Sequence, residues 1–510
     1  MSGAVNKPHE FTPPPPGEIL GHPRALWMLF GAEFWERFAY YGMRALLAVY
    51  VAQAFFGFLP ENHPGFNAAA NAAANAEASL VYGGYTALVY ATGIAGGMIA
   101  DRYLGYQRSI IVGGLLMAVG LFMLLSPEKP MFMAGLAVIV AGNGLFKPNI
   151  STMVGSLYAP GDVRRDSGFT IFYMGINAGA FIAPMITSAW IGATYGLKYG
   201  FLAASIGMIF GISVFQFLKG MLGHIGKPPA GREGWGPIFK VIGGAALLVP
   251  LFYFLLTKSD ILGTVLLVLF GLLAVYLIWS GYVENGVQGQ KYIAMFILFA
   301  ANILFWALFE QAGASLNFLA RDNVAMPTVF GYEFHFTLFQ SANPLFIILL
   351  APLFAMLWPK LEKMHMNPSI PRKFAIALIG LAAGYAVLVF AIKSFGGDGQ
   401  IGWIWLAALY LIHTMAELCL SPIGLSMVTK LAAPKNVGLS MGGWFLATAV
   451  ANYVAGRISA IASGGSDHSV AGGMAQYAQT FTWLIWAGLG VGIVYFLLAP
   501  AINKLMHGVK

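Results

Sequence analysis

Charged residues are scarce in this sequence, and that scarcity excludes an ordinary soluble protein. Asp, Glu, Lys and Arg make up 9% of the 510 residues, whereas they supply about 25% of a typical soluble domain. The hydrophobic share is 58%, which excludes a disordered chain because disorder needs low hydrophobicity and high charge. The 63 Gly and 26 Pro exclude a long soluble coiled coil, since both residues destabilise helix interiors.

Cysteine and catalytic motifs are scarce as well. Cys419 is the only cysteine, so no disulfide can form within the chain. The sequence has no H-E-x-x-H pair and no P-loop, which argues against a zinc protease and an ATP-driven pump. Its G-x-S-x-G match, residues 438–442, begins a predicted membrane span and does not follow a strand, which argues against the nucleophile turn of a serine hydrolase. The nine His do not cluster with Cys or Asp at the spacing of metal ligands. We therefore expect neither an enzyme nor a bound metal or other cofactor.

Long apolar runs are abundant, and they predict an all-α polytopic membrane protein. A helix needs about 20 mostly apolar residues to cross a bilayer, whereas a membrane β-barrel would show short strands of alternating polarity. The run 67–78 consists mostly of Ala and Asn and predicts a helical extension of the second span, because Ala favours helix. The fourteen candidate spans lie at roughly 25–57, 79–100, 108–126, 131–158, 168–194, 198–222, 235–257, 261–282, 291–319, 334–358, 373–395, 401–431, 438–462 and 473–503.

The basic residues predict the orientation of these spans. With the N-terminus in the cytoplasm, 19 of the 28 Lys and Arg fall on cytoplasmic segments, six fall outside and three lie within spans. This bias follows the positive-inside rule, so we expect both termini in the cytoplasm and the chain in the cell inner membrane. Residues 1–24 are expected to form a flexible tail with an interfacial end. The net charge of +8 thus indicates topology, and we expect no nucleic-acid partner. No obligatory protein partner is evident.

Seven charged residues lie deep inside the predicted spans, where each costs at least about 2.5–3.5 kcal/mol on insertion scales. Their four acids and three bases nearly balance, as expected for paired charges around a central polar cavity. Static pairing between helices is the alternative interpretation of the set. The seven are Glu33, Glu36, Arg37, Arg44, Lys147, Glu310 and Glu417.

The first span carries the densest group of these charges. Residues 33, 37, 40, 41 and 44 follow steps of three and four positions and therefore share one helical face. A polar stripe on an apolar membrane helix must face protein or water. A glutamate beside an arginine loses its proton easily, and it can regain one when the arginine engages another anion. The stripe therefore offers a route for coupling a proton to an anionic substrate group.

Other polar residues in the spans have two interpretations each. Lys147 follows small residues and precedes Pro148, and it is either an anion-binding lysine, which we favour, or half of a structural ion pair. Glu310 and Glu417 could each be a proton site or the partner of a cation. The amides of Asn177 and Asn343 could bind substrate or join helices by hydrogen bonds.

Three motifs give the sequence a resemblance to a known family. Residues 33–42, E-F-W-E-R-F-A-Y-Y-G, match the E-x-x-E-R motif of the proton-dependent oligopeptide transporter family. Residues 172–179, F-Y-M-G-I-N-A-G, resemble the F-Y-x-x-I-N-x-G signature of that family. Residues 97–105, G-M-I-A-D-R-Y-L-G, resemble the loop between the second and third spans of the major facilitator superfamily. The resemblance covers about residues 20–505.

The resemblance implies a fold, a set of domain boundaries and a function. The major facilitator fold has two six-helix bundles, and bacterial members of the family insert two further helices between them. The implied boundaries are 25–222 for the N-terminal bundle, 223–290 for a linker with the inserted pair, and 291–510 for the C-terminal bundle and its tail. The inserted pair is expected to be a lipid-facing structural element. The implied function is proton-coupled symport of di- and tripeptides into the cell by alternating access, with protons as the coupling ion.

The resemblance also implies roles for single residues. Arg37 and Lys147 would bind the peptide carboxylate, and Glu417 would bind its amino group. Protons would be exchanged by Glu33, Glu36 and Glu310. A gate would be closed by an ion pair between Arg44 and Glu310. The remaining peptide-binding residues would be Tyr40, Tyr41, Tyr90, Asn177, Trp306, Asn343, Ser421 and Trp444. Plain packing or anchoring at the bilayer interface explains each aromatic residue equally well.

One position departs from the family pattern. Mammalian relatives carry a histidine seven residues before the tyrosine that matches Tyr90, and here that position is Gly83. Coupling through a histidine at this place is therefore not expected. The carboxylates Glu33, Glu36 or Glu310 must carry the proton.

Two other functions stay open on the sequence. The first is transport of a small anion such as nitrate or a carboxylate, since plant relatives carry such cargo and the fold does not decide function. Glu417 argues against it, because a simple anion gains nothing from an acid in its site, whereas a peptide ammonium needs one. An intramembrane enzyme is the second, and the missing catalytic motifs argue against it.

Overall fold

The computed structural model describes residues 12–159, 161–329, 331–464 and 470–509. It is almost entirely helical within those ranges, which confirms the predicted all-α architecture. The fourteen long helices are α1 Arg24–Phe55, α2 Ala68–Ile99, α3 Tyr106–Met123, α4 Lys129–Ser156, α5 Arg164–Pro184, α6 Leu197–Leu218, α7 Gly236–Thr257, α8 Ser259–Glu284, α9 Gly286–Phe309, α10 Ala342–Lys363, α11 Ile370–Phe395, α12 Trp403–Leu431, α13 Val437–Ser463 and α14 Val470–Leu505.

Shorter elements continue or connect these helices. The helical turns are Ala100–Leu104, Met185–Gly192, Ala193–Tyr195, Lys219–Leu222, Glu310–Gly313, Ser315–Asn323, Phe336–Ser341, Gly396–Asp398 and Pro434–Asn436. The strands are β1 Glu18–Ile19, β2 His22–Pro23, β3 Val324–Ala325, β4 Thr328–Val329, β5 Tyr332–Glu333 and β6 Ile401–Gly402. Each strand is two residues long, and β1 pairs with β2, β3 with β6 and β4 with β5.

Length and composition allow most of these helices to cross a membrane. Twelve segments are long and apolar enough to do so among the described residues. The other two, α1 and α2, are 32 residues each, long enough to span about 30 Å of hydrocarbon. The charged stripe lowers the hydropathy of α1, and Asn, Gly and Tyr lower that of α2. The Ala/Asn run is continuous with α2 from Ala68, which confirms the predicted helical extension.

The helices form two bundles joined by an inserted pair. Helices α1 to α6 pack among themselves, mainly as α1 with α5 and α6, α2 with α4, and α3 with α4 and α6. Helices α9 to α14 do the same, mainly as α11 with α12 and α14, and α9 with α13. The bundles meet where α2 packs on α13 and α5 packs on α10. The inserted α7 packs on α4 and α2, and α8 packs on α9 and α13, so the pair contacts both bundles.

The N-terminal segment differs from the prediction of a flexible tail. Residues 1–11 lie outside the described residues, but residues 12–23 fold back on the N-terminal bundle through the β1–β2 pair. His22 Nδ1 and the Tyr158 hydroxyl form a buried hydrogen bond of 2.8 Å, and Arg164 Nη1 lies 2.8 Å from Glu18 Oε1. The prediction is therefore wrong for residues 12–23, because side chains on the loop before α5 and on α5 itself bind this segment.

The ninth span is interrupted where the sequence predicted one continuous helix. Helix α9 ends at Phe309, a 3₁₀ turn follows over Glu310–Gly313, and a helix resumes at Ser315. Gln311 stabilises the break, because its side-chain amide donates to the carbonyl oxygens of Ala307 and Ala455, each at 3.0 Å. The break places Glu310 at a helix end instead of within a regular turn.

The two bundles are in backbone contact at one end, which we call the closed end. A Cβ atom added to Gly83 of α2 would lie 2.6 Å from Gly456 Cα of α13. One turn away, the hydroxyl oxygens of Ser79 and Ser459 are 2.9 Å apart. Any side chain at Gly83 would therefore separate the bundles. This contact gives a physical reason for glycine at the position where the mammalian relatives carry histidine.

We expect Gly83→Val to shift the protein toward a state that is open at the closed end. Overpacking costs about 1–3 kcal/mol, which corresponds to a shift of about 5- to 150-fold in the equilibrium. Distances between spin labels on the adjoining ends of α2 and α13, measured by pulsed electron resonance in a Cys419→Ser background, report that shift. Gly93→Val on the same helix is the control, because nothing lies within 4 Å of a Cβ added there. An unchanged distance distribution in Gly83→Val would contradict the inferred contact.

Candidate functional site

In the charged stripe of α1, two glutamates contact the same arginine. Glu33, Glu36 and Arg37 are all buried, with Glu36 at 0% exposure. Arg37 Nε lies 3.2 Å from Glu33 Oε1, and its guanidinium also forks onto Glu36, with Nη2 at 2.5 Å from Oε1. Glu33 Oε2 has no hydrogen-bond partner within the described chain. With both acids ionised, the cluster carries a net charge of −1.

Glu36 lies at the edge of the charged face, although the predicted stripe did not include it. It follows Glu33 by three positions and precedes Tyr40 by four, so it is a neighbour of both on the helix surface. The long Arg37 side chain bends back to reach it, and the Arg37 guanidinium also lies 5.0 Å from the Tyr40 ring centroid. Tyr40 and Tyr41 contact each other edge to face at 5.3 Å.

Arg44 and Glu310 form an ion pair between the bundles. Arg44 Nη2 of α1 lies 2.5 Å from Glu310 Oε2 at the break after α9. Arg44 Nε also donates to the Tyr82 hydroxyl at 2.6 Å. Close by, the Asn317 side-chain amide donates to the Ala45 carbonyl at 3.0 Å. These contacts belong to the closed end. Tyr82 was missed by sequence reasoning, and only its position beside Gly83 on α2 could have indicated it.

Lys147 of α4 is an embedded cation without a carboxylate partner. None of the ion pairs that the described residues form includes it. Its Nζ lies 4.7 Å from the ring centroid of Tyr90 on α2, a cation–π contact within one bundle. The structural lysine–carboxylate pair, the alternative interpretation of Lys147, is therefore absent from the described structure. The ammonium is available to an anion that enters between the bundles.

Glu417 is an embedded acid whose partner is neutral. The Asn343 side-chain amide of α10 donates to Glu417 Oε2 of α12 at 2.7 Å and lies 3.1 Å from Thr414 Oγ1. Glu417 takes part in no ion pair of the described residues. His413 lies one turn away, but its Nε2 is 3.2 Å from the Leu381 carbonyl oxygen, so it is a structural histidine. Thr414 is a residue that sequence reasoning missed.

The other predicted peptide-binding residues divide into packed and accessible ones. Asn177 donates within its own helix to the Tyr173 carbonyl at 2.9 Å. Trp444 is buried, contacts Phe299 edge to face at 5.8 Å, and covers Gly424 so closely that a Cβ there would meet its ring. The partly accessible members of the set are Tyr41, Tyr90, Trp306, Asn343 and Ser421.

The embedded charges are sorted between the two bundles. The N-terminal bundle carries three bases and two acids, a net charge of +1, and the C-terminal bundle carries two acids, a net charge of −2. A bilayer interior disfavours such charges unless they face protein or a water-filled cavity. An elongated ligand with a negative and a positive end would complement this distribution. No group of three or more His, Cys, Asp or Glu that could hold a metal occurs in the described ranges.

Comparison with known proteins decides the family. A sequence profile of the POT family, the proton-dependent oligopeptide transporters, matches residues 107–484. The chain belongs to the POT family. Among its curated relatives, the peptide transporter YePEPT of Yersinia enterocolitica is 37% identical, with 86% of this chain and 88% of the relative covered. A di-/tripeptide transporter of Lactococcus lactis subsp. cremoris is 35% identical, with 96% and 98% covered.

Solved structures of POT proteins confirm the major facilitator fold that the resemblance implied. A mutant of a POT peptide transporter in complex with alafosfalin superposes with a TM-score of 0.81 at 35% identity, covering 97% of this chain and 98% of that one. A POT family transporter in complex with 5-aminolevulinic acid superposes with a TM-score of 0.78 at 31% identity, covering 95% and 98%. The chain is thus a multi-pass membrane transporter of this family.

Proposed function

We propose that this POT protein is a proton-coupled symporter that carries di- and tripeptides into the cell by alternating access. The observation that supports the proposal most is Glu417, a buried acid bound to the neutral Asn343. It stands in the bundle opposite Arg37 and Lys147. A zwitterionic peptide has a carboxylate and an ammonium separated by its backbone, so it complements both sides of this distribution.

The peptide carboxylate is bound by Lys147 and Arg37 in this proposal, and the amino group by Glu417. Tyr40, Tyr41, Tyr90, Asn177, Trp306, Asn343, Ser421 and Trp444 would line the site. Partly aromatic walls without further charge accommodate many side chains, because an aromatic ring offers contact area with little directional demand. An acid in the site disfavours nitrate and simple carboxylates.

Proton coupling follows from the sharing of Arg37 by Glu33 and Glu36. When the peptide carboxylate engages Arg37, two acids and one ligand anion compete for one guanidinium. Protonation of one glutamate removes the excess negative charge, since a nearby like charge favours the neutral acid. Binding of the peptide and binding of the proton therefore support each other. Protons are the coupling ion, and no other cofactor is required.

The ion pair of Arg44 and Glu310 is the external gate in this proposal. It closes the end of the cavity opposite the start of α1, which is the external end if both termini lie in the cytoplasm of the cell inner membrane. Protonation of Glu310 would weaken the pair, because a neutral acid loses the charge that attracts Arg44. The bundles then rock apart at the closed end and the site faces outward.

We expect gradient-driven accumulation of dialanine by proteoliposomes that contain the purified protein. An inward proton gradient should raise uptake above the level without a gradient, and trialanine should compete whereas free alanine should not. Dissipation of the gradient with a protonophore is the control. Absence of peptide uptake by a demonstrably folded protein would contradict the proposal and favour a small anion as cargo. Hydrolysis of the peptide would revive an enzymatic function.

A further inference from the structure

A groove of 610 Å³ lies outside the peptide site, on the surface of the N-terminal bundle. Its walls are the first half of α3 and the second half of α6, and the start of α7 covers one end. Helices α3 and α6 approach closely beneath it, where a Cβ added to Gly114 would lie 2.7 Å from Ile212 Cγ1. The groove is thus built between packed helices and does not depend on a loop.

The groove changes from cationic and polar to apolar along the helix axes. Arg108 at the start of α3 and Lys219 at the end of α6 line one end of it. Further along, its walls are Leu115 on α3 and Ile209 on α6, each 52% exposed. The seven residues from Arg108 to Leu115 advance roughly 10 Å along the helix. Both walls therefore run in the same direction from a charged end to a hydrocarbon-facing end.

The two cations at the polar end have no carboxylate partner. Neither Arg108 nor Lys219 belongs to an ion pair of the described residues. The Arg108 guanidinium instead donates to backbone carbonyls of the segment before α7, at 3.1 Å to Arg232 and 2.8 Å to Gly234. These bonds hold the guanidinium in place without neutralising its charge. Two positive charges therefore remain next to an apolar channel.

The position of the groove in the bilayer follows from the alternation of the helices. The start of α3, the end of α6 and the start of α7 all lie at the end where α1 begins, which is the cytoplasmic end in the proposed orientation. Trp235, 73% exposed, lines the polar end, and tryptophan is enriched at the level of lipid headgroups. The cytoplasmic leaflet carries anionic lipids whose surface potential attracts basic groups.

We propose that this groove binds one anionic phospholipid of the cytoplasmic leaflet, with its phosphate at Lys219 and Arg108 and one acyl chain along α3 and α6. The proposal depends on the orientation of the chain and is independent of its cargo. The apolar walls accept any acyl chain, whereas the two uncompensated cations select an anionic headgroup over a zwitterionic one.

Native mass spectrometry of the detergent-purified full chain tests this proposal. The protein is titrated with phosphatidylglycerol and, separately, with phosphatidylcholine of the same acyl chains. We expect the first phosphatidylglycerol to bind more tightly than phosphatidylcholine. Lys219→Gln should weaken that binding about five-fold, the factor that corresponds to about 1 kcal/mol for one basic residue near an anionic lipid surface. Lys363→Gln at the end of α10, remote from the groove, should leave binding unchanged.

A second variant tests the apolar part of the groove. Leu115→Trp should fill the channel and abolish binding of the first phosphatidylglycerol, whereas Phe390→Trp on the exposed face of α11 should not. Equal binding of the two lipids, or a first phosphatidylglycerol that both Lys219→Gln and Leu115→Trp leave unchanged, would overturn the proposal. Dialanine uptake by the same variants is measured in parallel. If the predictions for lipid binding fail while the protein still takes up dialanine, the lipid site is overturned and the proposed transport function is not.

Discussion

Glu36→Gln should sharply reduce gradient-driven peptide uptake while peptide exchange across the membrane persists. Glu36 is fully buried and holds the Arg37 guanidinium together with Glu33. Glutamine preserves the size of the side chain but removes its charge and directs an amide donor toward a guanidinium that has only donors. Glu33 stays paired with Arg37 in this variant, so the loss is that of hydrogen bonds to a charged group, about 1.5–3 kcal/mol, and we expect a loss of about 10- to 150-fold in driven uptake.

The comparison of driven uptake with counterflow separates coupling from binding. Counterflow exchanges labelled for unlabelled peptide without a proton gradient, so it needs the binding site and the rocking motion but no net proton transfer. Glu284→Gln is the matched control, since it makes the same chemical change in a surface ion pair with Lys435, and exposed pairs contribute little. Equal driven uptake in Glu36→Gln and the unmodified protein would remove Glu36 from the coupling mechanism.

Arg37→Lys extends the same test to the base of the cluster. A guanidinium can serve Glu33 and Glu36 at once through separate N–H groups, whereas an ammonium is a compact point charge on a flexible stem. The lysine variant keeps the net charge of the cluster but not its geometry. Loss of driven uptake with counterflow retained in this variant would therefore assign the coupling to the shared, forked arrangement and not to positive charge alone.

Glu417→Gln should remove the ability of the protein to recognise a peptide amino group. We expect the unmodified protein to bind dialanine at least about 30-fold more tightly than N-acetyl-dialanine, because leaving a buried charge without its partner costs about 2–5 kcal/mol. In Glu417→Gln that ratio should fall toward one. In each of the two proteins, inhibition of labelled dipeptide uptake by unlabelled dialanine and by N-acetyl-dialanine is measured. The resulting four affinities form a double-mutant cycle.

A ligand blocked at its other end controls for general damage to the site. The methyl ester of dialanine keeps its amino group and lacks the carboxylate that Lys147 and Arg37 would bind. Glu417→Gln should therefore weaken binding of the ester but not of the N-acetyl compound. If both blocked ligands lose the same affinity, Glu417 supports the cavity through Asn343 and does not contact the amino group.

Features that repeat along one helix could be read from the order of residues. The apolar runs, the polar stripe of Glu33 and Arg37 and the helical Ala/Asn run were predictable, because they depend on the period of the α-helix and the thickness of a bilayer. The seven embedded charges were found the same way, since a charge in an apolar run is visible without any neighbour. Membership of the POT family followed from short motifs of the same local kind.

Features that depend on two segments required the folded chain. Arg44 and Glu310 are 266 positions apart. The resemblance to the family implied their pairing, but no repeat within either segment specifies it, because it depends on how α1 and the break after α9 are rotated and placed. The same holds for Glu417 with Asn343, for Gly83 against Gly456, and for the fold-back of residues 12–23. Helix–helix register in a membrane is set by close packing of small residues and by hydrogen bonds between helices. Those contacts exist only once the bundles assemble, which is why the geometry of the Arg44–Glu310 ion pair and the groove between α3 and α6 are decided by the tertiary structure.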